Sequence, residues 1–139
     1  MAHITILIVD DEPNQRFILE RALHMFNSNW RTVATASGIE ALEAIDQQQP
    51  DMIITDYHMP NMTGLELIDI IRKRNITVPI ILMTAYGTPE LQRASEGLGI
   101  AHFLTKPVPL TTLRRLTVAA LRDHPLAKLD DAQETLGLK

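Results

Sequence analysis

The stretch Ile4-Thr-Ile-Leu-Ile-Val-Asp-Asp11 decides the fold, because a short apolar run ends there in two adjacent acids. Three later apolar runs also end in a polar residue: the run 52–55 precedes Asp56, the run 80–83 precedes Thr84, and the run 100–105 precedes Lys106. The carboxyl ends of parallel strands in an open α/β sheet face one crevice, where ligands bind. The sequence therefore predicts three carboxylates, a hydroxyl and an ammonium at one edge of a sheet, a set suited to phosphoryl transfer.

Five apolar runs have the length and the β-branched content of strands, at about 4–9, 31–36, 51–56, 79–84 and 100–105. Most are continuous rather than alternating, which suits strands buried on both faces. Between the runs, apolar residues recur at the spacing of amphipathic helices. This alternation predicts an α/β fold, a doubly wound five-stranded parallel sheet with five helices on its two faces.

Polar residues and prolines mark where two of these helices begin. Ser37 and Glu40 have the spacing of a capping box at the second helix. Thr88, Pro89 and Glu90 supply an N-cap, a proline at the first helical position and an acid in the first turn of the fourth helix.

Length and composition limit the classes to which the chain can belong. Its 139 residues suggest one domain. With a net charge of −4 it lacks the basic footprint of a nucleic-acid-binding protein, and no apolar run approaches the ~20 residues that span a bilayer. The absence of cysteine excludes disulfides, thiolate metal sites and cysteine nucleophiles. We expect a cytoplasmic protein that contacts neither nucleic acid nor a membrane.

The end of the chain departs from the alternating pattern. Pro125 ends the fifth helix, and the residues after it are polar with sparse leucines. We expect one domain over residues 1–122 and, over 123–139, a C-terminal tail or a linker to an output domain absent from this chain. A short amphipathic helix, a linker and a frayed end all remain open for this tail.

The acids Asp10, Asp11 and Asp56 would repel one another at one edge of the sheet. Two like charges at about 4 Å cost about 4 kcal/mol at an effective dielectric near 20, so the cluster needs a cation or a raised pKa. Oxygen ligands favour Mg²⁺, which would leave one carboxylate able to attack a phosphoryl donor. Lys106 and Thr84 would then bind phosphoryl oxygens.

Each of these residues also has an ordinary structural interpretation. The acids before Pro13 could cap a helix, Thr84 could be a strand-end hydroxyl, and Lys106 could be a solvated charge. Singly, these interpretations stay open. Their joint occurrence at successive strand ends favours a functional site.

The intervals between the motifs are compatible with one known family. The motifs are Val9-Asp10-Asp11, then Asp56 to Gly64 in the form D-x-x-M-P-x-x-x-G, then Met83-Thr84-Ala85, then Phe103-Leu-Thr-Lys-Pro107. Together they resemble the receiver domain of response regulators in two-component signal transduction, of the chemotaxis-regulator type. The resemblance covers residues 4–122 and implies a flavodoxin-like sheet with strand order 2-1-3-4-5.

The resemblance also implies which residues carry the phosphoryl chemistry. Asp56 is the expected phosphoacceptor, and Asp10, Asp11 and Asp56 are expected to hold Mg²⁺ together with the backbone carbonyl of His58. The expected phosphodonor is a sensor histidine kinase or a phosphotransfer protein. The chain is then a switch rather than an enzyme, because it catalyses only its own phosphoryl transfer and dephosphorylation.

A second group of residues is expected to report the phosphorylation. Thr84 and Lys106 bind the phosphoryl group, and Phe103 takes the position of the family's switch aromatic, which turns inward when Thr84 moves. The output surface is then formed by the fourth helix, fifth strand and fifth helix, where an output domain or a second copy could bind. The Lys106–Pro107 bond is expected to be cis, a form that X-Pro bonds adopt at low cost.

Two further side chains stand close to the motifs. His58, two residues after the acceptor, could tune the site or be an exposed loop residue, and Tyr86 could shield the site or cover its loop. The other histidines, His124 among them, are expected to be surface or packing residues. Pro109 departs from the family pattern, because it stands where a polar residue often caps the last helix.

Two other classes of function remain as alternatives. A small Mg²⁺-dependent phosphatase of the haloacid-dehalogenase type also uses an aspartate nucleophile, but it carries D-x-D after its first strand, where this chain has Asp10-Asp11-Glu12. A flavodoxin-like nucleotide binder would need a glycine-rich loop there, and acids would repel its phosphates. Sustained turnover of small phosphomonoesters would favour the phosphatase, and single-turnover labelling would favour the receiver.

Overall fold

Three strands are buried along their whole length and form the centre of the sheet: β1 (Thr5–Val9), β3 (Met52–Asp56) and β4 (Ile80–Thr84). Isoleucine, valine and threonine dominate them, and such β-branched side chains pack well on a pleated surface. The computed structural model describes residues 3–127. Within that range two further strands, β2 (Arg31–Thr35) and β5 (His102–Thr105), complete the sheet. The strands lie in the order β2-β1-β3-β4-β5, and every neighbouring pair is parallel. The predicted strand order is therefore confirmed.

The remaining two strands, β2 (Arg31–Thr35) and β5 (His102–Thr105), lie at the edges of the sheet. The expectation of burial on both faces does not hold for them, because most of their residues are partly or fully exposed. The predicted strands also extend one or two residues too far. Before β4, for example, Pro79 accepts a hydrogen bond from the Ile53 N–H but has no N–H of its own to donate.

Five helices cover the sheet: α1 (Pro13–Phe26), α2 (Gly38–Gln47), α3 (Gly64–Lys73), α4 (Pro89–Glu96) and α5 (Leu110–Ala120). The alternation along β1 divides the core between the two faces. Ile6 and Ile8 pack in one apolar cluster with residues of α1 and α5, whereas Leu7 and Val9 pack in a second cluster with residues of α2 and α3. The doubly wound arrangement follows from this alternation.

The helix starts show which sequence signals the chain uses. The Ser37 and Thr88 hydroxyls accept hydrogen bonds from the Glu40 and Leu91 N–H groups at 3.1 Å, as expected for N-caps. Pro109 precedes α5 and provides no side-chain cap, as expected from a proline in place of a polar N-cap residue. The Lys106–Pro107 peptide bond is cis.

The chain continues in contact with the core after α5. Leu126 and Ala127 pack against the cluster beneath α1 and α5, and residues 128–139 lie outside the described range. The domain boundary at residue 122 stays a prediction. Within residues 3–127, every helix is too short or too polar to cross a membrane.

Candidate functional site

The register of the sheet places the predicted polar residues at its carboxyl edge. Asp10 follows β1 directly and donates its N–H to the Thr35 carbonyl at 3.1 Å. Asp56 is the last residue of β3 and lies opposite Met83 of β4. The Lys106 N–H donates to the Thr84 carbonyl at 2.8 Å, which fixes the end of β5 against the end of β4. Backbone bonds therefore hold all four strand ends in one row.

Asp10, Asp11 and Asp56 form a carboxylate cluster at this edge. One oxygen from each lies within 4.8 Å of the other two. Asp10 and Asp56 are buried and Asp11 is exposed, so the cluster opens to solvent on one side. Three carboxylates with an open side can hold a hard cation that keeps part of its water shell, which suits Mg²⁺.

Within residues 3–127, Lys106 is the one cationic residue whose side chain contacts both buried carboxylates. Its Nζ lies 3.3 Å from Asp56 Oδ1 and 3.6 Å from Asp10 Oδ2. A single ammonium offsets only part of the charge of three carboxylates. The site therefore retains a net negative charge that favours a divalent cation.

The charged form of Asp56 is disfavoured by its surroundings. Burial raises the pKa of Asp56 above its ordinary value, the Lys106 ammonium lowers it, and the neighbouring Asp10 charge raises it again. Burial has the largest effect, so the folded state holds this carboxylate at a cost in stability.

The start of α1 answers whether the acids before Pro13 are only helix caps. Glu12 is the N-cap residue, and its carboxylate accepts hydrogen bonds from the Asn14 and Gln15 N–H groups at 3.1 Å. Asp10 accepts the Glu12 N–H through Oδ1 at 2.9 Å, and its Oδ2 lies towards Lys106. Because Glu12 caps the helix, the Asp11 carboxylate is left to the acidic cluster.

Thr84 presents a buried hydroxyl at the end of β4. Its Oγ1 accepts a hydrogen bond from the Tyr86 N–H at 3.1 Å. An oxygen that accepts in this way keeps its own proton for donation. The same hydrogen bond links Thr84 to the loop before α4, so a movement of the hydroxyl would also displace that loop.

Three aromatic rings line the loops beside the cluster. The His58 ring packs edge-on against Tyr57, with centroids 4.9 Å apart, and against Tyr86, with centroids 5.9 Å apart. Tyr86 is otherwise exposed. His58 thus links the loop after β3 to the loop after β4.

Phe103 lies against the loop that connects β4 to α4. A Cβ placed on Gly87 would come within 3.1 Å of both the Phe103 ring and the Thr105 hydroxyl. The loop can approach β5 this closely because residue 87 has no side chain. The ring and the loop therefore share one contact surface.

Two residues that shape the site were not singled out by sequence reasoning. A Cβ on Gly64 would collide with the Asp56 carbonyl oxygen and lie 2.9 Å from Leu82, so only glycine permits α3 to begin there. Gly64 is the last residue of the motif D-x-x-M-P-x-x-x-G, so the sequence did contain a signal for it. Arg16 donates to the Asp10 carbonyl at 2.8 Å, and its spacing in the sequence gives no signal.

An apolar cavity adjoins the cluster. It has a volume of about 440 Å³ and runs from Asp10 and Lys106 to Ile18 of α1 and Leu110 of α5. Ile18 and Leu110 are both about half exposed. The cavity therefore joins a charged end to an apolar wall.

Comparisons with known proteins agree with this geometry. Residues 6–117 match the family model described as the response regulator receiver domain. The chain is 36% identical over 122 residues to the response regulator protein PilR of Pseudomonas aeruginosa, which covers 88% of this chain and 27% of that protein. It is 29% identical over 114 residues to sporulation initiation phosphotransferase F of Bacillus subtilis, which covers 82% of this chain and 90% of that protein.

A solved structure gives the same result for the fold. The chemotaxis protein CheY4 of Vibrio cholerae superposes with a TM-score of 0.78 at 29% identity, covering 86% of this chain and all of that one. The match covers the whole length of that solved chain, whereas it covers only 27% of the length of PilR.

The burial of Asp56 leads to a stability prediction. In the absence of divalent cations, Asp56→Asn should raise the free energy of unfolding at neutral pH, because it removes a charge whose folded-state pKa is raised. The gain should shrink as the pH falls through the raised pKa, since the parent then binds a proton at Asp56. Urea unfolding of both proteins at neutral and mildly acidic pH measures this. If Asp56→Asn is less stable than the parent at neutral pH, the raised pKa of Asp56 is contradicted.

Proposed function

The chain belongs to the response regulator receiver domain family, and on that premise we propose that it is the phosphoacceptor of a two-component phosphorelay, with Asp56 as the accepting residue. The observation that carries the proposal is the Asp56 carboxylate at the sheet edge, within 3.3 Å of Lys106 and grouped with two further acids. The proposed place of action is the cytoplasm.

The proposed reaction begins with the unprotonated Asp56 carboxylate. One of its oxygens attacks the phosphorus of a phosphohistidine, the phosphorus–nitrogen bond breaks, and the departing imidazole takes a proton from solvent. Lys106 offsets the charge on the transferred group, and the Thr84 hydroxyl donates to one of its oxygens. In dephosphorylation, water attacks the phosphorus, the bond between phosphorus and the Asp56 oxygen breaks, and inorganic phosphate leaves with the carboxylate restored. The accepting group is the protein's own side chain, so the proposed role is a switch rather than an enzyme.

The donor set of the cluster fits Mg²⁺. Asp10, Asp11 and Asp56 would hold the ion through carboxylate oxygens, and the backbone carbonyl of His58 would complete the protein ligands. When bound, the ion offsets the negative charges of the carboxylates and of the incoming phosphoryl group. The buried position of Asp10 keeps its carboxylate directed at this site.

The proposed phosphodonor is a sensor histidine kinase or a phosphotransfer protein. The cavity beside Asp10 and Lys106 supports this, since its apolar wall of Ile18 and Leu110 could receive apolar side chains of a protein partner. The name of the Bacillus subtilis relative, a phosphotransferase, also describes the transfer of a phosphoryl group.

The proposed output surface is formed by α4, β5 and α5. Thr84 bonds to the loop that rests on Phe103, so drawing the hydroxyl towards a phosphoryl group would open space into which the ring can turn. Within α4 only Ser95 is buried, which leaves that helix with little packing to resist a shift. An output domain or a second copy of the chain would bind here. His58 and Tyr86 would tune how easily water reaches the site.

Phosphorylation of Asp56 can be tested by mass spectrometry. Incubation with acetyl phosphate and Mg²⁺ should add one phosphoryl group to the parent and to Asp123→Asn, an exposed acid outside the site. Asp56→Asn should add none, because an amide is a poor nucleophile. Equal labelling of Asp56→Asn would overturn the proposal, and sustained release of phosphate by the parent from simple phosphomonoesters would favour a phosphatase.

Lys106 should couple phosphorylation to the output surface. Lys106→Ala should still bind Mg²⁺, but beryllofluoride should no longer change the amide chemical shifts across residues 84–122 as it does in the parent. Lys73→Ala, at an exposed ion pair on α3, is the control and should respond as the parent does. Parent-like shifts in Lys106→Ala, or parent shifts confined to α1 and α2, would contradict the proposed switch.

A further inference from the structure

His124 lies just beyond α5, at the edge of the sheet opposite Asp56. Its ring has two fixed partners: Nε2 is 2.9 Å from Asp51 Oδ1, and Nδ1 is 3.1 Å from the Leu126 N–H. A backbone N–H can only donate, so Nδ1 is the acceptor and Nε2 carries the proton that is donated to Asp51. The geometry therefore fixes which ring nitrogen donates and which accepts.

Asp51 is itself held firmly to the sheet. Its Oδ2 accepts the Thr5 N–H at 2.7 Å, and its own N–H donates to the Thr5 carbonyl at 2.8 Å. Thr5 begins β1, and Asp51 immediately precedes β3. One carboxylate thus joins the starts of two fully buried strands to the chain after α5.

His124 also occupies the N-cap position of a new helical segment. Residues 125–127 are helical, Pro125 stands at the first position, and the Ala127 N–H donates to the His124 carbonyl at 3.0 Å. The ring replaces the usual short polar cap by accepting the Leu126 N–H. Because the ring is at once cap and anchor, the start of this segment is tied to the centre of the sheet.

We propose that Asp51 and His124 form a joint that holds the segment beginning at Pro125 against the receiver, so that residues 125–127 keep one fixed position relative to the sheet. The joint is formed by residue pairs 46 and 73 positions apart, and His124 lies beyond the residues that match the family model. The joint takes no part in the proposed phosphoryl transfer, because it lies at the edge of the sheet opposite Asp56. The joint would give the chain after residue 127 a fixed starting point on the receiver.

The two roles of the ring can be separated by substitution. His124→Ala removes both the cap and the anchor. His124→Asn supplies a good N-cap for Leu126, but its shorter side chain does not reach Asp51. Asp51→Asn changes the partner of the ring while keeping an oxygen that can accept the Thr5 N–H. His24→Ala, on α1, is a matched histidine control.

The measurement is residue-resolved amide exchange of the full chain at neutral pH. We expect exchange at Leu126 and Ala127 to rise about tenfold in His124→Ala and by a similar factor in His124→Asn, with a rise also in Asp51→Asn and none in His24→Ala. Labelling by acetyl phosphate should be unchanged in every variant. Parent-like exchange in His124→Asn would reduce the ring to a helix cap and overturn the proposal. The same follows if Asp51→Asn, still folded, exchanges as the parent does.

Discussion

The rest of the structure depends on one electrostatic constraint, which is the gathering of three carboxylates and one ammonium at the carboxyl edge of the sheet. β1 and β3 are buried along their whole length, so the strands that carry Asp10 and Asp56 cannot move apart to relieve the repulsion. Burial adds to the cost by raising the pKa of Asp56. The fold therefore holds excess negative charge at this edge, which a divalent cation would offset.

Neighbouring features serve to keep this edge in place. Glu12 caps α1 and so leaves Asp11 to the cluster, while Gly64 lets α3 begin in contact with the Asp56 carbonyl. On the other side, the Tyr86 N–H holds the Thr84 hydroxyl, and the same loop rests on Phe103. The negative edge is thus built on rigid strands, whereas its connection to α4 runs through a loop and a lightly packed helix. This difference in rigidity supports the proposed switch.

Much of this was predictable from the sequence, because it rests on local patterns. Continuous apolar runs that end in Asp10, Asp56 and Thr84 predicted the strands and the meeting of these residues at one edge of the sheet, and the family resemblance predicted the strand order. The burial of β2 and β5 was overestimated, since an apolar run does not say whether its strand lies at an edge. The Asp51–His124 contact escaped because it joins residues 73 positions apart, and no periodicity marks such a pair.

Calorimetric titration with Mg²⁺ tests most directly whether the carboxylate cluster at the sheet edge is a cation site. The parent and Asp123→Asn should bind Mg²⁺ with equal affinity, because Asp123 lies outside the cluster. Asp11→Asn should weaken binding about tenfold or more, since it removes one of three charged ligands. Equal affinity for Mg²⁺ in Asp11→Asn and the parent would show that the carboxylate cluster is not the cation site.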